Sequence, residues 1–369
     1  MERGRFMKIV KKILLIVLIL IGIVVLTVGG YAIYLEATYD RISDFLPLEV
    51  EQNPTDQLQK DQTYSIITYN LGFGAYSPDF TFFMDEGKML SGEKTKGKYG
   101  KARSKSEVET NTTGSIDVLK QVNPDFIFLQ EVDRNSTRSH HANQKNLITS
   151  AFDSYGFSFI SNFHSEFLMY PLNDPHGRVD SGMMSLSRYQ VSSSLRRSLP
   201  ISTHWLNKLF DLDRCIHILR LKIEEKELVL INVHLSAYDK GGVYRKQQIN
   251  LLNTILEDEQ EKGNYVIVGG DFNHDIADSA SAFKTNQQQP DWLSFLSNSD
   301  LPNGYQFATT KEVPTCRGAD VVYEKDKTYT VVVDGFIVSD NIEVIESKNI
   351  QTDFAYSDHN PAFLEFRFR

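Results

Sequence analysis

The stretch Tyr265-Val-Ile-Val-Gly-Gly-Asp-Phe-Asn273 runs an aromatic and β-branched segment into two glycines, then into a carboxylate and an amide. An apolar run this short, closed by glycine, reads as a buried strand whose end presents polar groups at the rim of a sheet. Similar runs recur at Tyr64–Tyr69, Phe126–Leu129, Gly182–Ser187, Cys215–Ile223, Leu228–Val233, Thr330–Val338 and Ala362–Phe368. A polar turn within Lys222–Lys226 predicts a hairpin, whereas Tyr244–Glu261 sets Ile249, Leu252, Ile255 and Leu256 on one helical face. Hairpins mixed with helices favour an α/β fold of two packed mixed sheets flanked by helices over a regular parallel βαβ array.

Upstream, the 23 residues Ile13–Leu35 carry no charge and are dominated by Ile, Leu and Val. At about 1.5 Å per residue they reach roughly 34 Å, the thickness of a bilayer core. A secretory signal peptide is the competing reading, but its apolar region is normally only about 7 to 15 residues. Five cations precede the run (Arg3, Arg5, Lys8, Lys11, Lys12), while Glu36 and Asp40 follow it. The expectation is a single-pass anchor in the cell membrane, with the N-terminus cytoplasmic and the remaining chain extracytoplasmic. The expected division is a basic tail at 1–12, a membrane helix at 13–35, a juxtamembrane stalk at 36–61 and one folded domain at 62–369.

The formal net charge is −9, and setting the basic tail aside leaves the remainder near −13, which argues against a broadly basic nucleic-acid binder. Cys215 and Cys316 are too few for a disulfide scaffold and lack the spacing of a zinc site; they form one bridge or stay free. Against the acidic trend, Lys88–Lys105 holds seven cations and one acid among glycines and serines. It reads as a basic loop, either a solvated mobile insertion or a phosphate-attracting flap.

Strand ends carry the chemistry. Asn70, Glu131, His234, Asp271 with Asn273, and Asp358 with His359 each stand where an apolar run stops or is about to start. One such residue alone is ordinarily a turn former or cap. Five placements of one kind suggest a shared polar site, where carboxylate and amide oxygens suit a hard divalent cation. The lack of thiolate and histidine clusters disfavours zinc and copper.

Tyr-Asn at 69–70, Leu-Gln-Glu-Val at 129–132, Asn-Val-His-Leu at 232–235, Gly-Gly-Asp-Phe-Asn at 269–273, Val-Asp-Gly-Phe-Ile-Val-Ser at 333–339 and Ser-Asp-His-Asn-Pro at 357–361 occur in one order. Together they resemble the endonuclease/exonuclease/phosphatase superfamily over about residues 63–369. The resemblance implies a four-layer α/β sandwich and phosphoester cleavage with Mg2+, or Mn2+ in its place. By motif, Glu131 resembles the principal metal ligand, assisted by Asn70 and Asp358. Asp271 and Asn273 would line the scissile phosphate. His359 would contact the phosphate or activate water, oriented by Asp334, and His234 would donate to a phosphate oxygen or the leaving group. Arg178 and Arg317 are candidate substrate clamps, because guanidinium forks suit phosphate.

The motifs set the reaction and leave the substrate open. His234 stands where the family's abasic-site endonucleases usually carry tyrosine, and the inositol 5-phosphatase signature is absent. A lipid or small organophosphate leads, given the expected anchor and acidic domain; an extracytoplasmic nuclease on DNA or RNA is the alternative. An inactive binding module is a further reading. Phe80-Thr81-Phe82-Phe83 and Trp205 with Phe210 are aromatic clusters suited to a core or a membrane interface. No obligate protein partner is indicated.

Overall fold

The computed structural model describes residues 2–202, 213–237, 239 and 242–369. Strands form at every apolar run named above: β1 (Leu46–Leu48), β2 (Thr63–Asn70), β3 (Glu86–Lys88), β4 (Lys94–Lys96), β5 (Phe126–Asp133), β6 (Gly156–Leu168), β7 (Gly177–Ser187), β8 (Ser193–Ser198), β9 (Cys215–Ile223), β10 (Lys226–His234), β11 (Tyr265–Asp271), β12 (Tyr305–Ala308), β13 (Asp334–Ser339), β14 (Ile342–Asn349) and β15 (Ala362–Phe368). The principal helices are α1 (Glu2–Thr38), α2 (Lys105–Val122), α3 (Gln144–Ala151) and α4 (Val243–Glu261). One sheet has the order β1-β8-β9-β10-β11-β13-β12 and the other β14-β15-β2-β5-β7-β6. Pairs β10–β11 and β2–β5 are parallel and the remaining pairs in these two sheets antiparallel, so both sheets are mixed.

Strand alternation makes the layers. On β2, Ile66 faces the opposite sheet with Phe128, Leu230, Ile267 and Phe336, while Ile67 faces outward with Ile127 beneath Ile116, Leu119 and Ile148 of α2 and α3. On the other outer face, Leu252 and Leu256 of α4 cover Val229, Ile231, Val266 and Val268. The result is helix, sheet, sheet, helix, the expected four-layer sandwich. Helix α2 starts where the Ser104 hydroxyl accepts from Glu107 N, and stops at Asn123, whose φ of 55° is left-handed.

Helix α4 is locked to β9 by Glu259, a buried carboxylate bonded to Arg220, Lys262 and Asn264. Burial alone would raise its pKa, but the hydrogen bonds from Arg220, Asn264 and Lys262 bring it down to about 2. A depressed carboxylate stabilises the fold above its unfolded pKa, and that contribution fades as pH falls through the folded value. Glu259→Gln is therefore expected to cost on the order of 1–2 kcal/mol at neutral pH after solvent screening, the deficit shrinking between about pH 4.5 and 2; urea midpoints across pH measure it.

Several expectations are revised. The stalk at 36–61 does not stand free of the domain: β1 pairs with β8 as an edge strand, Glu51 and Phe157 exchange backbone hydrogen bonds of 2.8 and 2.9 Å, and Leu58 lies in the intersheet core. Its few apolar residues are spaced to complete a sheet edge and seal the core, which no helical or strand period reveals. The basic segment at 88–105 is a hairpin, β3–β4, followed by the cap of α2. Lys96, Lys101, Arg103 and Lys105 pair with Glu86, Asp174, Asp79 with Glu107, and Glu109 respectively. The run expected at Thr330–Val338 divides into a short pair with Cys316–Arg317 and then β13, because Val333 and Asp334 donate their N–H groups to the Thr315 hydroxyl. Phe80 and Phe83 are buried; Trp205 and Phe210 lie outside the described residues. Both cysteines are buried and free. Helix α1 is long and apolar enough to cross a membrane, and Ile13, Leu18 and Leu26 on it are more than half exposed.

Candidate active site

Register builds the site. β10 pairs with β11 so that His234 stands opposite Asp271, and β11 pairs with β13 so that Asp271 stands opposite Asp334. Directly opposed residues project to one side of a sheet, which brings two carboxylates and an imidazole into one row. Gly270 makes this register possible: its φ is +147°, and a Cβ there would lie 2.0 Å from the Val233 carbonyl. From the facing sheet, Asn70 ends β2 and Glu131 sits in a bulge of β5, where the pairing with β7 slips between Leu129 and Val132. Glu131 takes a left-handed φ of 53°, a conformation costing on the order of 1–3 kcal/mol in a non-glycine residue. Its side chain keeps 27% exposure, so it reaches the opening of the site.

Asp271 is the hub. One of its oxygens accepts from Asn70 Nδ2 at 2.9 Å and lies 3.5 Å from His234 Nε2 and 3.7 Å from His359 Nε2. Its other oxygen accepts from the Asn273 backbone at 2.8 Å. His359 Nδ1 bonds the Asp334 carboxylate at 2.7 Å. Ser357 ties the two halves together, donating to the Asn70 carbonyl at 2.7 Å and accepting from His359 N. Asn273, in a left-handed turn, donates to the Leu235 carbonyl. The structure thus brings together Asn70, Glu131, His234, Asp271, Asn273, Asp334, Asp358 and His359.

Burial sets the charges. It pushes Asp334 up to about 7 against the pull of His359. It pulls His359 down, but Asp334 and Asp271 more than reverse this and hold the imidazole well above its ordinary value. His234 is driven well below its ordinary value by burial, with the Arg214 charge adding to it, and stays neutral. Glu131 and Asp358 are both raised, first by burial, and Asp358 raises Glu131 further by like charge. Two carboxylates that repel one another at a buried rim, beside the amide of Asn70, form an all-oxygen donor set that suits a hard divalent ion. Asp271, Asp334 and His359 also bring ligand atoms within 4.8 Å of one another, a second group that could hold a metal ion.

The two candidate arginine clamps have different surroundings. Arg178 is exposed on β7 and lines a cavity of about 400 Å³ with Leu35, His164, Asp180 and Asp213. Arg317 is buried and spends its guanidinium on the carbonyls of Gly318 and Ser77, while its own N–H bonds the Asp358 carbonyl at 3.0 Å. It braces the loop of Asp358. Sequence reasoning missed Arg138 and Arg214. Arg138 forks onto Asp133 at 3.0 and 2.8 Å, lies over the Phe73 ring and reaches within 4.0 Å of Glu131. Arg214 donates to the His234 carbonyl, and its charge acts on Glu131 and His234. Neither follows an apolar run, so no strand-end signal marked them. Arg138→Leu leaves Asp133 buried without its cation and is expected to cost on the order of 3–5 kcal/mol, read as a fall in the urea midpoint.

Comparison with known proteins gives the same outline. The model of the Endonuclease/Exonuclease/phosphatase family matches residues 67–359. Among solved structures, an endonuclease/exonuclease/phosphatase family protein from Leptotrichia buccalis aligns with a TM-score of 0.54 at 14% identity, covering 83% of this chain and 100% of that one. The human Nocturnin catalytic domain with bound sulfate gives 0.52 at 16%, covering 86% and 98%. TDP2 of D. rerio, complexed with a single-strand DNA product, gives 0.50 at 14%, covering 83% and 100%. No curated protein sequence matches the chain. The family match opens at Ile67 in β2 and closes on His359, enclosing every polar residue that converges above, and the chain therefore belongs to the Endonuclease/Exonuclease/phosphatase family of divalent-metal-dependent phosphoester hydrolases.

Proposed function

We propose that the protein is a membrane-anchored, extracytoplasmic phosphoesterase acting on a lipid or small organophosphate by in-line attack of water. The observation that carries the reaction is the pair of imidazoles within 3.5 and 3.7 Å of one Asp271 oxygen, with Asp334 fixed to the far side of one of them. Glu131, with Asn70 and Asp358, would hold Mg2+ or Mn2+. When bound, the ion spreads the charge that develops on the phosphate. Asp334 holds the Nδ1 proton of His359 and so fixes the ring with Nε2 toward the reacting centre, where it contacts phosphate or relays the proton of attacking water. Neutral His234 donates to a phosphate oxygen or the leaving group. Asp271 and Asn273 line the phosphate, held by Asn70 and the Leu235 carbonyl. No covalent enzyme intermediate is required.

The acidic domain and the internal pairing of Lys96, Lys101, Arg103 and Lys105 support the lipid or small-molecule reading over a polyanion. Five cations ahead of the apolar helix support the extracytoplasmic orientation. The deciding experiment is a panel of phosphodiesters, phosphomonoesters, micellar phospholipids, plasmid and single-stranded DNA, assayed on the full chain in detergent with Mg2+, with Mn2+ and with chelator. Metal-dependent turnover strongest on micellar or small substrates is expected. Preferential DNA cleavage would move the assignment to a nuclease, and absence of turnover on every substrate would leave a binding module.

A further inference from the structure

The exit of α1 is fastened to the β6–β7 hairpin. The Tyr31 hydroxyl donates to the Phe167 carbonyl at 2.9 Å and accepts from Met169 N at 3.0 Å, Tyr34 donates to Glu166, and Leu35 is buried among Phe163, Leu168 and Val179. Beyond these contacts the tip of the hairpin exposes large apolar side chains next to Asn173: Tyr170 is 57% and Leu172 81% exposed, with Phe167 and Met169 also exposed. The β3–β4 segment leans on the same tip. Phe83 stacks edge-on to Tyr170 at 5.5 Å and Lys101 pairs with Asp174 at 3.0 Å. Met84, next to Phe83 in the chain, is exposed.

Tyr31 lies four residues before the end of the apolar run, about 6 Å along the helix axis. A tyrosine there occupies the aromatic belt of a spanning helix. Phe167 and Met169, bonded to that tyrosine, consequently sit at the depth of about 5–10 Å where interfacial apolar side chains embed. We propose that the β6–β7 tip is a second bilayer contact that docks the domain on the phospholipid surface through its exposed apolar side chains. This rests on the membrane-anchor reading of α1 and supplies the partner of the adjoining face. The docking face is joined to the site by one aromatic block: His176, returning from the tip, packs on Phe73 and Phe163, and both rings carry the Arg138 guanidinium. Arg138 in turn reaches within 4.0 Å of Glu131, so an unbroken chain of contacts runs from the docking face to the site.

The test uses the full chain in nanodiscs of phosphatidylcholine. An environment-sensitive fluorophore is placed on Leu172→Cys, Leu18→Cys or Asp278→Cys; the native cysteines are buried. Lipids bearing a nitroxide should quench the Leu172 and Leu18 labels strongly and leave the fully exposed Asp278 label bright. Quenching at Leu18 with Leu172 as bright as Asp278 overturns the docking proposal and leaves the anchor standing; a bright Leu18 overturns both.

Discussion

His359→Ala is expected to lower kcat by roughly 10²- to 10⁴-fold, the range removed with a positioned acid or base. The ring is held by Asp334 at 2.7 Å, and its Nε2 stands 3.7 Å from Asp271, so alanine removes both the proton carrier and the partner of a buried carboxylate. Asp334→Asn separates these effects. An amide at that position no longer accepts with a full charge and does not favour the imidazolium, while the volume is unchanged. The double variant should therefore be little worse than His359→Ala alone, because the two residues act as a unit. Single-turnover rates on a chromogenic diester measure this, and additive losses in the double variant would show that Asp334 is not coupled to His359.

Glu131→Gln is expected to abolish metal-dependent turnover. Losing a partner that merely orients a metal ligand typically costs about 10- to 100-fold, and losing the principal carboxylate itself should exceed that. Because the carboxylate is raised by burial and by Asp358, its replacement also relieves repulsion at the rim. Thermal stability without metal should accordingly be preserved or increased, while the shift on adding Mg2+ or Mn2+ disappears. Calorimetric titration of Mn2+ into the variant and the parent protein checks the assignment. Parent-like affinity in the variant would place the cation elsewhere, with Asp271, Asp334 and His359 as the remaining cluster.

Tyr64–Tyr69, Cys215–Ile223 and Ala362–Phe368 were legible in the sequence because a buried strand declares itself by an unbroken apolar run, and each became a strand. The site was legible for a related reason: Asn70, His234 and Asp271 terminate such runs, and strand ends share an edge. The edge strand β1 was not, since three residues of which one is proline carry no period. Arg178 and Arg317 looked alike as candidate clamps, yet one is exposed and the other buried among carbonyls.

By itself the sequence determined which residue types meet and in what order along the chain, since periodicity and local motifs are properties of neighbours a few positions apart. Only the tertiary structure decided the hydrogen bond between His359 and Asp334, the hub at Asp271 and the pairing of Arg138 with Asp133 and Glu131. Those depend on strand register and on the bulge at Glu131, where one residue of slip turns a side chain to the opposite face. Register is fixed by the packing of two whole sheets, over separations that no local pattern encodes.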